Sequence, residues 1–266
     1  MIAIEARNIT KSFGTAHVLK GISLAAQKGE AVAIIGSSGS GKSTFLRCLN
    51  LLEVPDCGEI RVSGEHLSIG PDGTPPARAQ IERIRRRVAM VFQSFNLWHH
   101  MTVLSNVIEA PVHVHGRPRA AAIEEARSLL KRVGLAHRAE AYPNQLSGGE
   151  QQRAAIARAL AVHPDVILFD EPTSALDPEL VGEVLSTIQD LVAEGRTMII
   201  VTHEMAFARD VSTRTVYLCE GRIEEEGPSA DVFNAPRSPR LQQFLESFRS
   251  GRFTGEKQRA TLPSVT

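Results

Sequence analysis

The chain has 266 residues, 42% of them apolar, with 30 Lys plus Arg balanced by 30 Asp plus Glu. That is long enough to bury a real core. The even charge argues against a nucleic-acid binder working through a strong basic field and against a polybasic lipid anchor, and no stretch approaches the roughly 18 uninterrupted apolar residues of a membrane helix.

Residues 2–35 alternate short β-like runs with turns. Ile2 to Ala6 is the first run; it carries Glu5 and lacks the basic start and apolar block of a secretory signal. Val18 to Ala25 follows a turn at Phe13-Gly14. Ala31 to Ile35 is continuously apolar, as in a strand buried on both faces. Gly36-Ser37-Ser38-Gly39-Ser40-Gly41-Lys42-Ser43-Thr44 comes next and matches the phosphate-binding pattern G-x-x-x-x-G-K-[ST]. Glycines let backbone N–H groups turn in on phosphate oxygens. The helix expected from Lys42 adds a positive dipole. Lys42 supplies a point charge to the outer phosphates, and the Ser43 hydroxyl is suited to ligate Mg²⁺. The pattern implies nucleotide binding, which many enzyme classes share.

Cys48, Cys57 and Cys219 are scattered without metal spacing and read as packing residues in a reducing compartment. Segment 70–77 is a turn-rich surface loop. The run Arg83, Arg85, Arg86, Arg87 reads as a solvated helix face. A strand is expected at 88–91, and between about 95 and 163 the pattern is helical throughout, as in an inserted subdomain. His99-His100 and His113-x-His115 have no nearby Cys or acid to complete a metal set. Leu146-Ser147-Gly148-Gly149-Glu150-Gln151-Gln152-Arg153 opens a helix to about 163. Ser147 and Glu150 have capping-box spacing. The two glycines weaken a helix by roughly 1 kcal/mol each, and they fit a helix start kept bare for a phosphate.

Val166 to Phe169 is an apolar strand ending in Asp170-Glu171-Pro172. Acids there project into the crevice where α/β sheets bind ligands. Asp170 is suited to hold Mg²⁺, and Glu171 to orient and deprotonate water. A helix from Pro178 and a strand at 197–201 follow. Buried strands alternating with helices imply a largely parallel sheet. From about 251 the sequence is polar and irregular, and a loose tail over 251–266 is expected.

Leu146 to Arg153 resembles the signature of the ATPase subunits of ABC transporters, and the resemblance extends over about 1–250. It implies a P-loop (RecA-like) α/β core with an N-terminal antiparallel β layer and a helical subdomain at about 95–163. It implies Mg-ATP hydrolysis by a homodimer at the cytoplasmic side of the membrane. In that dimer Ser147, Gly148 and Gly149 of one copy close over ATP held by the other. By the same resemblance Gln93 is a Mg²⁺ and water contact, Asp177 belongs to a loop at the dimer interface, His203 contacts the γ-phosphate, and Phe13 stacks on adenine. Partners implied are two integral-membrane permease subunits and, indirectly, a solute-binding protein. The run Phe95-Asn96-Leu97-Trp98 is similar to the polar amino acid uptake group, pointing to a basic amino acid or opine. The large apolar residues Phe95, Leu97, Trp98, Met101, Val103 and Leu104 are expected to divide between core and a groove for the permeases. The alternatives are an importer ATPase for another small polar solute and a soluble ABC ATPase acting on ribosomes or DNA. Members of the soluble group usually carry two cassettes or a long coiled coil, and this chain has neither.

Overall fold

A computed structural model of the chain describes residues 1–70 and 76–249. The tail expected over 251–266, and residues 71–75 of the turn-rich loop, lie outside the described residues.

Among the described residues ten strands form two sheets. β1 (Ile2–Phe13), β2 (Ala16–Gln27), β4 (Cys57–Val62) and β5 (Glu65–Ile69) make an antiparallel layer in the order β2-β1-β4-β5. β3 (Ala31–Ile35), β6 (Val88–Val91), β7 (Val166–Asp170), β8 (Met198–Val201), β9 (Arg214–Cys219) and β10 (Arg222–Pro228) make the second sheet, ordered β10-β9-β3-β8-β7-β6. Its strands are parallel except for the β9–β10 hairpin. Every residue of β3, β6, β7 and β8 is buried, as continuous apolar runs require when both faces are covered.

One face of this sheet packs with the antiparallel layer and α1 (Lys42–Leu49) around Val32, Ile34, Leu46, Ile60 and Leu168. The chain between β6 and β7 holds α3 (Val103–His113), α4 (Arg119–Arg132) and α5 (Gly148–Leu160), and no strand among the described residues. These helices, with α6 (Pro178–Ala193), enclose a second core around Val107, Leu130, Ile156, Phe169 and Ile188. α7 (Met205–Val211), α8 (Ser229–Asn234) and α9 (Pro239–Arg249) border a third around Tyr217, Phe233 and Leu241. Truncating any of these large buried side chains should cost about 2–5 kcal/mol. No described helix is long and apolar enough to cross a membrane.

The strands expected near 88–91, 166–169 and 197–201, and the helices from Lys42 and Pro178, are present. The helix expected to reach about 163 ends at Leu160. α2 (Arg78–Arg85), which carries part of the arginine run, buries only Ile84.

Candidate active site

β3 delivers the chain to Gly36 at the C-terminal edge of the parallel strands. Gly36 has φ 154°, and a Cβ there would lie 2.2 Å from the carbonyl oxygen of Leu218 in β9, so no side chain fits. Gly41 precedes α1 at φ 104°, with Leu19 Cδ2 2.9 Å and the Val18 carbonyl oxygen 3.2 Å from where its Cβ would be. The β1–β2 hairpin, with Phe13 at its turn, is thereby packed against the loop. Between these glycines Ser37, Ser38, Gly39 and Ser40 make a tight turn, with Ser40 N–H donating to the Ser37 carbonyl at 3.2 Å. The first turn of α1 carries no acid, leaving its N–H groups uncontested for an anion.

Lys42 is 4% exposed. Its Nζ donates to the carbonyls of Gly36 and Ser37, each at 2.9 Å. Burial lowers its pKa, and the charges of Glu171 and Asp170 oppose that shift. A glycine cradle, a bare helix start and a buried ammonium together fit a polyphosphate.

Ser43 Oγ donates to Asp170 Oδ1 at 2.6 Å, tying α1 to the end of β7. Asp170 is buried, which raises its pKa; the Ser43 hydrogen bond and then the charge of Arg47, 4.0 Å away, pull it down. A hydroxyl and a carboxylate side by side are hard oxygen donors of the kind Mg²⁺ takes. Thr44 is half-buried on the next position of α1.

Glu171 follows with a left-handed backbone, φ 48°, which is uncommon for a residue other than glycine. Its N–H donates to the Val201 carbonyl at 3.0 Å, and its own carbonyl accepts from Ser174 Oγ at 2.9 Å. Its carboxylate reaches His203 Nε2 at 2.9 Å, just past β8. That hydrogen bond is the main reason its pKa falls below the usual glutamate value. Glu171 is therefore a carboxylate at neutral pH.

A second group of residues gathers at the start of α5. Ser147 Oγ accepts from Glu150 N–H at 3.2 Å, and Glu150 Oε2 accepts from Ser147 N–H at 2.8 Å, completing the capping box. A Cβ on Gly148 would be 3.0 Å from Leu176 Cδ2 and 3.7 Å from the Phe95 ring; one on Gly149 would be 3.3 Å from Leu180 Cβ. These glycines let α5 approach its neighbours closely, a packing reason that the helix-start argument did not contain. Asp177 is exposed at the N-cap of α6, without a side-chain capping bond. Gln93 is exposed just beyond β6. Phe13 is 47% exposed, with Lys11 Nζ 5.3 Å from its ring centre.

The structure thus brings the P-loop, Asp170, Glu171 and His203 together, and separately Gly148 with the segments around Leu176 and Phe95. Of the apolar residues after Gln93, Leu97, Val103 and Leu104 are core, Phe95 and Met101 are half-buried, and only Trp98 is exposed. Sequence reasoning missed Arg47, although its place four residues after Ser43 puts it on the same helix face. It also gave no role to Asn106, Arg158 or Gln152, buried or partly buried polar residues, although Gln152 lies within the Leu146–Arg153 run.

The sequence profile of the family described as ABC transporter matches residues 19–174. The chain belongs to the ABC transporter family. It is 60% identical over 247 residues to the octopine permease ATP-binding protein P of Rhizobium radiobacter, covering 91% of this chain and 94% of that protein. It is 59% identical over 249 residues to the arginine/ornithine transport ATP-binding protein of Pseudomonas aeruginosa, covering 92% and 98%. Among solved structures it resembles an ATP-binding cassette captured as a dimer in a post-hydrolysis state with ADP and Pi, at TM-score 0.72 and 36% identity over 85% of this chain and 98% of that one. This ABC chain is an ATP-binding ATPase, and its α/β architecture with an antiparallel layer is that of the family's cassettes.

Proposed function

We propose that this ATPase binds Mg-ATP between Phe13 and the P-loop and hydrolyses it with Glu171, and that a homodimer of it powers uptake of a basic amino acid or opine through two permease subunits. The observation that carries the reading is the pairing of two contacts at neighbouring strand ends: Ser43 to Asp170 at 2.6 Å and Glu171 to His203 at 2.9 Å. The backbone N–H groups of residues 36–44 and Lys42 take the phosphates. Ser43, Asp170 and Gln93 are the residues that would hold Mg²⁺, which neutralises phosphate charge when bound. Glu171, ionised and fixed by His203, accepts a proton from the attacking water. His203 stays within reach of the terminal phosphate. Ser147, Gly148 and Gly149 of one copy, with Asp177, face the nucleotide of the other, giving a two-fold dimer with composite sites.

The solute assignment rests on the relatives, whose names specify octopine and arginine/ornithine. The subunit is placed at the cytoplasmic face of the membrane, held by the permeases, with exposed Trp98 beside the docking surface; a solute-binding protein acts on the far side. Nucleic acid is no partner, given the balanced charge.

The test is uptake of labelled arginine, ornithine, histidine and octopine by cells lacking this gene. Restoration by the wild-type chain and not by Glu171→Gln is expected. Unimpaired uptake of all four solutes in the deletion strain would refute the transport assignment, and full activity of the variant would refute the role of Glu171.

A further inference from the structure

Residues 95 and 96 follow Gln93 in an unusual conformation. Phe95 has φ 60° and Asn96 φ 52°. Two consecutive left-handed residues without a glycine cost roughly 1–2 kcal/mol each, and such strain persists only where the surroundings hold it. What holds it here is one side chain. Arg158 Nη1 donates to the Asn96 carbonyl at 2.5 Å, and Nη2 to the Phe95 carbonyl at 3.0 Å. The guanidinium also lies 5.4 Å from the ring centre of Trp98. Among the described residues no carboxylate pairs with it. Burial lowers Arg158 to about 10, so it remains charged at neutral pH.

The same helix grips the segment at its other end. Gln152, fully buried, donates Nε2 to the Phe92 carbonyl at 3.3 Å. Its Oε1 is buried with no hydrogen-bond partner among the described residues. A buried orphan acceptor costs stability, so stability alone does not account for a glutamine there. From the opposite side, fully buried Asn106 accepts from Trp98 N–H at 2.8 Å and donates to the carbonyls of Trp98, Met101 and Thr102 at 3.1, 3.2 and 3.0 Å.

We infer that Arg158 and Gln152 are positioning residues: α5, whose first turn carries Ser147 and Gly148, grips the carbonyls on both sides of Gln93, so the helix start and Gln93 move as one body. The inference rests on the ATPase reading, because Gln93 matters only there. It adds the mechanical link. A change at the start of α5 on nucleotide closure is delivered along a helix of 13 residues to Phe92, Phe95 and Asn96, and so to Gln93 between them. Lysine cannot replace Arg158, because a point charge does not span two carbonyls in fork geometry.

Trp98 is the only tryptophan in the chain, so its fluorescence reports on this segment directly. The experiment compares the full chain with Arg158→Lys, Arg158→Gln and the volume-conserving Gln152→Leu. Without nucleotide, both Arg158 variants should expose Trp98, seen as red-shifted emission and stronger acrylamide quenching. With Mg-ATP, all three should keep nucleotide binding and lose turnover by about 10- to 100-fold, as misplacement of a site group does. Wild-type quenching and turnover in Arg158→Lys would overturn the fork. Wild-type turnover in both Arg158→Gln and Gln152→Leu would overturn the positioning role. If Arg158→Gln does not fold, the lysine and leucine variants still decide. If the wild-type chain itself failed to hydrolyse ATP, the ATPase reading would fall, while the nucleotide-free quenching would still test the clamp.

Discussion

Glu171 Oε1 and His203 Nε2 meet at 2.9 Å across the ends of β7 and β8, and the contact is aimed by the left-handed backbone of Glu171. The carboxylate is thus presented ionised at the ligand-binding edge of the sheet. Glu171→Gln keeps size and shape and removes the carboxylate. Steady-state ATP turnover is expected to fall about 10²–10⁴-fold with ATP affinity retained. Turnover within error of wild type would remove Glu171 from the mechanism.

The pH response follows from the same contact. Because His203 lowers the Glu171 pKa, the pair contributes stability above the usual glutamate value, and this is lost as pH falls through the lowered one. His203→Ala should therefore cost stability near about pH 7 and cost less near about pH 3, because the contribution declines as pH falls from the usual glutamate value toward the lowered one. Urea midpoints of the two proteins at both pH values measure this. An equal penalty at both would show that the hydrogen bond does not set the Glu171 pKa.

Lys42 is a cation lowered chiefly by burial, so its charge works against folding at every pH below its folded pKa, neutral pH included. Lys42→Met should raise the melting temperature of the nucleotide-free chain and abolish the further rise that Mg-ATP gives the wild type. Retention of that nucleotide-dependent rise would mean that the ammonium does not hold phosphate.

Phe13 presents 47% of its surface beside the P-loop hairpin, with the Lys11 ammonium over the ring. Stacking of a base on such a ring is worth roughly 1–3 kcal/mol. Phe13→Ala should weaken ATP and ADP to a similar degree, about 5- to 150-fold by titration calorimetry. Loss for ATP alone would point to a phosphate effect instead.

The glycines at the start of α5 separate packing from dimer contact. A methyl on Gly149 meets the Cβ of Leu180 at 3.3 Å, whereas one on Gly148 meets the movable end of Leu176 at 3.0 Å and touches the Phe95 ring at an ordinary 3.7 Å. Gly149→Ala should lower the melting temperature more than Gly148→Ala does. Light scattering of Glu171→Gln with Mg-ATP should show a dimer, and Gly148→Ala in that background should weaken it. A monomer with ATP demonstrably bound would count against the composite site.

Sequence periodicity exposed β3, β6, β7 and β8 because strands buried on both faces are written as unbroken apolar runs. It missed β4, whose Cys-Gly-Glu-Ile-Arg-Val buries only Ile60 and Val62, and β10, which has no fully buried residue. β4 exists through pairing with the distant β1, and β10 by closing a hairpin on β9; in both it is the pairing, not an apolar run of their own, that makes the strand. The short α8 leans on buried Val232 and Phe233 and is equally tertiary. In the site, the P-loop and the Asp170-Glu171 pair were legible because their spacing is local. Arg158 and Gln152 were not, because what they hold is backbone some sixty positions away.

The edges of the central sheet close the account. β10 alternates exposed Arg222, Glu224, Glu226 and Pro228 along one border, and Arg214 pairs across to Glu226 at 3.3 Å. β6, on the other border, is wholly buried. A charged, proline-ended border repels an incoming strand, and a covered one cannot be reached. Two copies meeting in a crowded cell therefore cannot zip this sheet into a longer one and polymerise. Encounters between copies are left to other faces, which can let go again.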